Sequence, residues 1–154
     1  MVSKKVDRQL IHTLNPKGLP DTIYLDPLVN YRMVVHSIPE REKDNISILG
    51  GAPNIIGLEL PRGSLRLVNP QRVNNDELAA LIYVPDENGP IHLQQFNSSQ
   101  QYLEGKYDLE ILSLPRIFLP QVEINAGETT TISIPPPGVV NLQSSAPGFG
   151  SILK

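Results

Sequence analysis

The side chains that most often perform acid–base, nucleophilic or metal chemistry are sparse in this sequence of 154 residues. Its three histidines are His12, His36 and His92, and it contains no cysteine. None of the histidines has a second histidine at the i+2 or i+4 position, which is the spacing of a metal site built on one element. The lack of cysteine excludes disulfides, thiolate zinc sites and a cysteine nucleophile. We therefore expect no catalytic residue, no metal and no cofactor.

Serines and carboxylates offer the remaining routes to chemistry. The Gly-x-Ser-x-Gly sequence of many hydrolases does not occur. Ser37 and Ser113 each precede an apolar residue and a proline, which is typical of a hydroxyl that caps a turn. The acidic pairs Asp76-Glu77 and Asp86-Glu87 fall in polar segments, and the run Asn74–Glu77 is the richest source of the clustered oxygen ligands that calcium prefers. Neither segment has EF-hand spacing, so solvated turns are the simpler interpretation and a calcium site is the alternative.

Composition and charge exclude several classes of protein. The net charge is −3 at pH 7 and 19% of the residues are charged, so the basic surface of a nucleic-acid-binding protein is missing. The polar start, Met1–Arg8, is unlike a signal peptide, and no apolar run approaches the roughly 18 residues of a membrane span. We expect a cytoplasmic protein if the chain is complete as given, and a cell-surface or secreted protein if it is a fragment.

Most apolar residues alternate with polar ones, as they do in half-buried β-strands. Ser64–Asn69, Gln121–Asn125 and Thr130–Ile134 show this period of two, which puts every second side chain on one face. Asp86–Gly89 predicts a hairpin turn in which Asn-Gly supplies the positive φ angles, and Asn125–Glu128 predicts a second, similar connection. Short strands separated by many glycines and prolines predict an all-β sandwich or barrel.

The sequence contains an internal repeat. An offset of 76 residues aligns Tyr31–Pro61 with Tyr107–Pro137, and seven of these 31 positions are identical, against roughly two expected from composition. The identical pairs are Tyr31/Tyr107, Ser37/Ser113, Pro39/Pro115, Ile48/Ile124, Gly51/Gly127, Ile56/Ile132 and Pro61/Pro137. A one-residue slip adds the pairs Gly63/Gly138, Leu65/Val140 and Leu67/Leu142. The preserved positions are apolar faces and turns, which indicates a repeated packing unit rather than a repeated active site.

The repeat divides the chain into three parts. Residues 63–137 are predicted to form a complete β-sandwich, residues 1–62 a partial unit, and residues 138–154 a linker and the start of a further unit. The candidate strands of the complete unit are 64–69, 79–84, 91–96, 102–104, 107–114, 121–125 and 129–134. The partial unit has counterparts of the last five only, at 9–13, 22–25, 31–38, 45–49 and 54–60. We therefore predict an all-β fold of tandem small Greek-key β-sandwiches, the first of them incomplete.

Several segments of the complete unit resemble a known family. Gly105–Leu112, Val122–Glu128 and Thr130–Ile134 resemble the closing half of a transthyretin-like domain, also called the prealbumin-like or carboxypeptidase regulatory-like domain, and Gly63–Leu67 resembles its opening strand. The region from Tyr107 to Gly138 more specifically resembles the repeats that follow a von Willebrand factor A module in bacterial surface proteins. The metal motif of that module, Asp-x-Ser-x-Ser, is absent here, so its metal site is not implied. The resemblance implies a spacer or an interaction surface beside a functional domain.

Two features are candidates for contact with a partner protein. Ile117, Phe118 and Leu119 are apolar where the partial unit has the charged run Glu40–Asp44. If the two loops are equivalent, the three side chains either cover a junction between modules or form an adhesive patch. The second candidate is the open sheet edge of the incomplete unit, which invites strand addition from another chain.

The predicted function is a non-catalytic structural or interaction module, a spacer or adhesive β-sandwich array, within a larger bacterial surface or secreted protein. Its partner is protein, either neighbouring domains of the same polypeptide or a strand from another chain, and not nucleic acid, and we expect no membrane span. The main alternative is a carbohydrate- or ligand-binding β-sandwich, and a hydrolase is a more distant one. The sequence leaves the oligomeric state open.

Overall fold

The architecture of the chain is all-β, as predicted. The computed structural model describes residues 12–13, 22–70, 78–135, 138–143 and 145–152, and these residues contain nine β-strands and no helix. In chain order the strands are β1 (Tyr31–Val35), β2 (Arg41–Ile46), β3 (Arg62–Val68), β4 (Ala79–Tyr83), β5 (His92–Gln95), β6 (Ser98–Leu103), β7 (Gly105–Ile111), β8 (Ile117–Ile124) and β9 (Thr129–Ser133). Across the same ranges, no helix is long and apolar enough to cross a membrane.

The chain falls into two compact units. The first comprises the described parts of Met1–Val35 together with Arg41–Leu58, and the second comprises His36–Glu40 and the described parts of Glu59–Lys154. The described residues of the first unit contain one antiparallel hairpin, β1–β2, and the second unit contains β3 to β9. The predicted domain limits, 1–62, 63–137 and 138–154, stay predictions.

In the second unit, two sheets pack face to face around one apolar core. One sheet has the strand order β6-β3-β9 and the other β5-β4-β7-β8. Each strand turns every second side chain inward, which explains the alternating sequence. The buried cluster draws on both sheets and comprises Leu65, Leu67, Ala80, Ile82, Phe96, Tyr102, Tyr107, Leu109, Ile111 and Ile124. This arrangement is that of a β-sandwich.

Strand β3 is the centre of the smaller sheet. It pairs antiparallel with β6 and parallel with β9, and its Leu65 and Leu67 are completely buried. Gly63 lies against the end of β8, where a Cβ atom would overlap the carbonyl oxygen of Asn125 and would lie 2.7 Å from Cγ2 of Ile124. This close approach of two backbones requires glycine at position 63.

The β1–β2 and β7–β8 hairpins share one register. In the first hairpin the opposed residues are Tyr31↔Ile46, Met33↔Lys43, Val34↔Glu42 and Val35↔Arg41. In the second they are Tyr107↔Val122, Leu109↔Leu119, Glu110↔Phe118 and Ile111↔Ile117. Adding 76 to each number of the first set produces the second set, and both ladders are interrupted at the same place. The repeated sequence therefore builds the same bulged hairpin twice.

The backbone angles near the two hairpins also correspond. Asn45 and Gln121, which are 76 residues apart, have positive φ angles of 55° and 56°. Gly51 and Gly127, which follow the hairpins at the same offset, have φ angles of 75° and 74°. Asn45 and Gln121 lie at the bulges of the two ladders, and Gly51 and Gly127 lie in the turns that follow. That residues 1–62 form a partial sandwich beyond this hairpin stays a prediction.

Two strands predicted in the partial unit do not form. Residues 22–25 and 54–60 have no strand structure, and of the predicted strand 9–13 only residues 12–13 lie within the described part of the chain. The segment 54–60 matches the region of β9, which among the described residues pairs only with β3. Residues 1–62 contain no sequence counterpart of β3. Without that partner, the backbone groups of 54–60 have no ladder to join.

Three strands begin four residues before their predicted starts. β2 starts at Arg41, β6 at Ser98 and β8 at Ile117, whereas the predicted strands are 45–49, 102–104 and 121–125. The segments that were predicted to be loops, 40–44 and 116–120, are therefore mostly strand. Antiparallel pairing with the preceding strand satisfies their backbone groups, and this pairing decides the structure more strongly than the charge of the side chains.

The two predicted turns differ from their predicted chemistry. β4 and β5 form a hairpin around Asp86–Gly89, but the positive φ angles are at Asp86 (66°) and Gly89 (94°), so that only the glycine of the Asn-Gly pair has one. Asn125–Glu128 does not close a hairpin, because β8 and β9 belong to different sheets. It is the connection by which the chain crosses from one sheet to the other.

Gly63→Ala is expected to destabilise the second unit by about 1–3 kcal/mol, the usual cost of forcing an extra group into a packed site. Gly148→Ala is the matched control, because a Cβ atom there meets nothing within 4 Å. Urea denaturation followed by circular dichroism should show a lower midpoint for the first variant only. Equal midpoints would contradict the requirement for glycine at position 63.

Candidate functional site

The candidate site is an exposed surface around the start of β8, where the predicted contact residues lie. Among the described residues, β8 is an edge strand that pairs with β7 alone. Ile117, Phe118 and Leu119 are its first three residues. Ile117 and Phe118 are 38% and 59% exposed, whereas Leu119 packs partly against the core. The strand therefore presents two of the three apolar side chains to solvent.

Strand pairing places Phe118 in a row of four side chains that crosses the sheet. Phe118 lies opposite Glu110 of β7, Glu110 opposite Leu81 of β4, and Leu81 opposite Leu93 of β5. The neighbouring Leu109 points into the core, so this row points away from the core. We call these four residues the outer row. The outer row is apolar at three positions and has one carboxylate.

The carboxylate of Glu110 is held in place by two donors. Arg116 Nη1 donates to Glu110 Oε1 at 2.7 Å, and the Tyr83 hydroxyl donates to Oε2 at 2.9 Å. Both hydrogen bonds favour the charged form and lower the pKa of Glu110, the bond from Arg116 more strongly. The same bond to Glu110 raises the pKa of Tyr83. At neutral pH the outer row therefore contains a fixed and paired negative charge.

The corresponding surface of the first unit is charged. β2 has Arg41–Lys43 at the positions where β8 has Ile117–Leu119. Arg32 of β1 pairs with Asp44 and, at 3.2 Å, with Glu42. Because the same hairpin forms with either set of side chains, its folding does not require the apolar set. Exposed apolar side chains that folding does not require are typical of a contact surface.

A shallow cavity beside β6 brings a histidine and a serine near one another. Its volume is about 160 Å³, and it is lined by His36, Ser37, Ile38, Arg62, Gln100, Gln101, Tyr102 and Leu103. His36 Nδ1 lies 2.8 Å from Glu40 Oε2, and these side chains are 85% and 51% exposed. Ion pairs between side chains as exposed as these contribute little to stability. The pair has the character of a surface contact.

The two repeated serines cap turns, as predicted. The Ser37 hydroxyl donates to the Pro39 carbonyl at 2.7 Å, and the Ser113 hydroxyl donates to the Pro115 carbonyl at 2.8 Å. A cis peptide bond precedes each of these prolines. Both hydroxyl protons are engaged by a backbone carbonyl within the turn, which is a structural role.

The acidic pairs Asp76-Glu77 and Asp86-Glu87 are the candidate ligands of a metal ion. Within the part of the chain that the structure describes, no three His, Asp or Glu side chains lie close enough together to hold a metal ion. The candidate calcium segment Asn74–Glu77 lies outside the described residues. Asp86 and Glu87 are exposed in the β4–β5 turn.

The repeat-matched tyrosines have different environments in the two units. Tyr102 and Tyr107 are buried and pack together, with ring centroids 5.5 Å apart. Tyr31 is half-buried and its hydroxyl donates to the Asp26 carbonyl at 3.1 Å. Tyr24, which matches Tyr102 in sequence, is 98% exposed and does not pack in a core. The described residues of the first unit form only a two-stranded sheet, which has no opposing sheet to cover Tyr24.

Gln94 is a buried polar residue that the sequence pattern did not reveal. It is 2% exposed; its amide nitrogen donates to the Leu65 carbonyl at 3.0 Å, and its amide oxygen accepts from the Tyr102 hydroxyl at 2.9 Å. These bonds join β5 to the opposite sheet through the core. Burial also raises the pKa of Tyr102. Glutamine is usually a surface residue, and only the long-range pairing identifies this one as structural.

Comparison with known proteins adds no relative to this description. No protein-family model, curated protein or solved structure matches the chain. The function is therefore inferred from the residues and their geometry.

Arg116→Gln is expected to raise the pKa of Glu110, because it removes the stronger of its two hydrogen bonds and a nearby positive charge. A lowered folded-state pKa contributes stability above the ordinary carboxyl pKa, and that stability is lost as the pH falls through the folded value. The variant should therefore lose stability at neutral pH, and the difference from wild type should close in acid. Carbon-13 NMR titration of the Glu110 carboxyl measures the shift. Arg66→Gln, an exposed residue of β3, is the control, and an unchanged Glu110 pKa in Arg116→Gln would contradict the assignment.

Proposed function

We propose that this chain is a non-catalytic structural or interaction module, a spacer or adhesive β-sandwich array, of a larger bacterial surface or secreted protein. The observation that carries the proposal is the hairpin built twice, by β1–β2 and by β7–β8, in one register and with different surface residues. Repeat arrays are built from units that share one packing pattern and differ in their surface residues. In such arrays each unit contacts its neighbours, and the exposed residues determine which partners bind.

The proposed family is the transthyretin-like domain, of the kind that follows a von Willebrand factor A module. Residues on which the resemblance rests have structural roles in the second unit. Tyr107 of the Gly-x-Tyr segment is buried against Tyr102, and Gly127 adopts a positive φ angle in the crossing connection. Thr129–Ser133 pairs with the opening strand β3. These roles support the proposal because they explain why such residues recur in a packing unit.

The adhesive part of the proposal rests on the outer row. Phe118 and Leu93 are exposed, and between them Glu110 is already paired with Arg116. Burying an unpaired carboxylate under a protein partner would be unfavourable. Because Arg116 already supplies a counter-charge to Glu110, a partner can cover the apolar side chains without that cost. Pro120 interrupts the donors of β8 within the edge strand. The side chains of the outer row, more than the strand edge, therefore form the proposed contact.

A carbohydrate- or ligand-binding β-sandwich is the second candidate. Tyr83 and Phe118 lie on the same exposed face as Glu110, whose carboxylate accepts a hydrogen bond from Tyr83. Aromatic side chains beside a carboxylate are a common combination in small-ligand sites, where the rings supply apolar contact and the carboxylate fixes orientation. The two candidates differ in whether a small molecule stabilises the fold.

Calcium and a panel of mono- and oligosaccharides are expected to leave the melting temperature unchanged in scanning calorimetry. A site filled at 100 times its Kd would add about 2.7 kcal/mol, which corresponds to roughly 10–20 °C in a domain of about 60–100 residues. Phe118→Ser is the matched variant. A rise of that size in wild type that Phe118→Ser abolishes would support the ligand-binding candidate and contradict the spacer.

The complete gene offers an independent test of the array. We expect it to encode a von Willebrand factor A module before this segment and further β-sandwich repeats, because the region from Tyr107 to Gly138 resembles the repeats that follow such a module. Genome sequence around the coding region measures this directly. An open reading frame containing neither feature would contradict the proposed context.

A further inference from the structure

Residues 53–57 of the first unit match β9 of the second unit in sequence, yet they form no strand. Ile56 is 38% exposed, and its counterpart Ile132 of β9 packs partly against the core. Ile55 is 97% exposed, and its counterpart Thr131 is exposed as well. The two units therefore differ at this element mainly in whether its backbone is paired in a sheet.

The difference lies in the partner strand. Among the described residues, β9 pairs with β3 alone, and the two strands are parallel. The Ser64 N–H donates to the Glu128 carbonyl at 2.8 Å, and the Ile134 N–H donates to the Val68 carbonyl at 3.1 Å. Among the described residues of the first unit, none pairs with residues 53–57 as β3 pairs with β9. A β3-like strand would supply that pairing.

A β3-like sequence is present at residues 138–142. Its matches to β3 are Gly63/Gly138, Leu65/Val140 and Leu67/Leu142. Val140 and Leu142 are 69% and 77% exposed, and the segment belongs to no sheet, whereas the two leucines of β3 are completely buried. An alternating apolar segment that belongs to no sheet of the described residues is suited to strand addition.

The glycine in this segment supports the match. In β3, Gly63 allows an approach that any Cβ atom would block. A Cβ atom built on Gly138 meets nothing within 4 Å, so no contact within the single chain requires glycine there. Glycine at position 138 would be required if the segment docked as β3 does, against the counterpart of Asn125.

The backbone of residues 53–57 is compatible with an incoming parallel strand. In the second unit, Glu128 and Ile134 direct backbone groups towards β3, so by the alternation of a ladder the even-numbered residues between them do the same. Pro53 is the counterpart of Thr129, an odd-numbered residue. The N–H that proline lacks would therefore point away from the incoming strand, and no ladder bond is lost.

We propose that residues 138–142 of one copy of this chain add to the first unit of a second copy, as a parallel strand beside residues 53–57. The register of β3 and β9 would place Val140 opposite Asn54 and Leu142 opposite Ile56. The contact is head to tail and not reciprocal, so it extends copies into a linear array. It rests on the proposed spacer function and deepens it by naming the partner, a second copy.

Sedimentation velocity of the purified chain over a concentration series tests the proposal. We expect the wild-type chain to associate with increasing concentration and Gly138→Val to associate at least tenfold more weakly, because the added side chain collides with the acceptor backbone. Gly148→Val is the matched control, since a Cβ atom at Gly148 also meets nothing within 4 Å in the single chain. Its association should equal that of wild type.

Mixing two damaged copies tests the direction of the contact. Gly138→Val retains an intact acceptor, and Ile56→Lys retains an intact donor. Each variant alone should be monomeric at concentrations where wild type associates, and an equimolar mixture should form a one-to-one complex that grows no further. A mixture that stays monomeric would contradict head-to-tail donation.

Disulfide trapping tests the register, since the chain has no native cysteine. Ile55→Cys in one copy and Asn141→Cys in another correspond to Thr131 and Arg66, which are paired in the parallel ladder. Paired residues of neighbouring strands are about 5 Å apart, which suits a disulfide. Oxidation of the mixture should yield the mixed dimer by mass spectrometry. Ile55→Cys mixed with Ser151→Cys should not.

The other outcomes overturn the proposal in separable ways. A wild-type chain that is monomeric throughout, with the 55–141 disulfide forming inside one polypeptide that carries both cysteines, would show closure on its own chain. Association that Gly138→Val leaves unchanged would show that another surface, such as the outer row, joins the copies. Neither result affects the spacer function, which is tested separately by the response to calcium and sugars and by the complete gene.

Discussion

The second unit depends on the packing of one strand, β3, across the core. Its Leu65 and Leu67 are completely buried, and each burial contributes about 1.5–3 kcal/mol. The side chain of Gln94 reaches from the opposite sheet to the Leu65 carbonyl, and Gly63 lets the start of β3 approach the end of β8. Since β6 and β9 both pair with β3 and lie on either side of it, the smaller sheet exists because β3 is present.

The first unit shows which structure survives without such a strand. Its β1–β2 hairpin keeps the register of β7–β8, because two strands joined by a short turn pair at a small cost in chain entropy. Residues 53–57 do not become a strand, because the pairing of β9 is parallel and needs a partner from another part of the chain. The hairpins of this fold thus form between strands that are close in sequence, whereas the smaller sheet requires strands that are distant in sequence.

The two copies of the hairpin have the same strand pairing but different exposed side chains. β2 is an edge strand rich in charged residues, a common protection against unwanted pairing. β8 has apolar residues at the same positions, and Pro120 limits the pairing of its edge. The outer row then combines apolar side chains with Glu110, a carboxylate that Arg116 already neutralises. This combination supports the proposed role as a contact surface, since the charge is already committed to an ion pair.

The sequence by itself determined the all-β class, the approximate places of the strands in the second unit, the shared hairpin and the apolar contrast at Ile117–Leu119. It could do so because alternate burial and turn chemistry are local properties of a strand and its neighbours. Only the tertiary structure decided that 54–60 is not a strand, that Gln94 is buried, and that Tyr83, Glu110 and Phe118 share one face. Each of these depends on a partner strand that is distant in the chain, and the local pattern of residues contains no information about whether that partner is present.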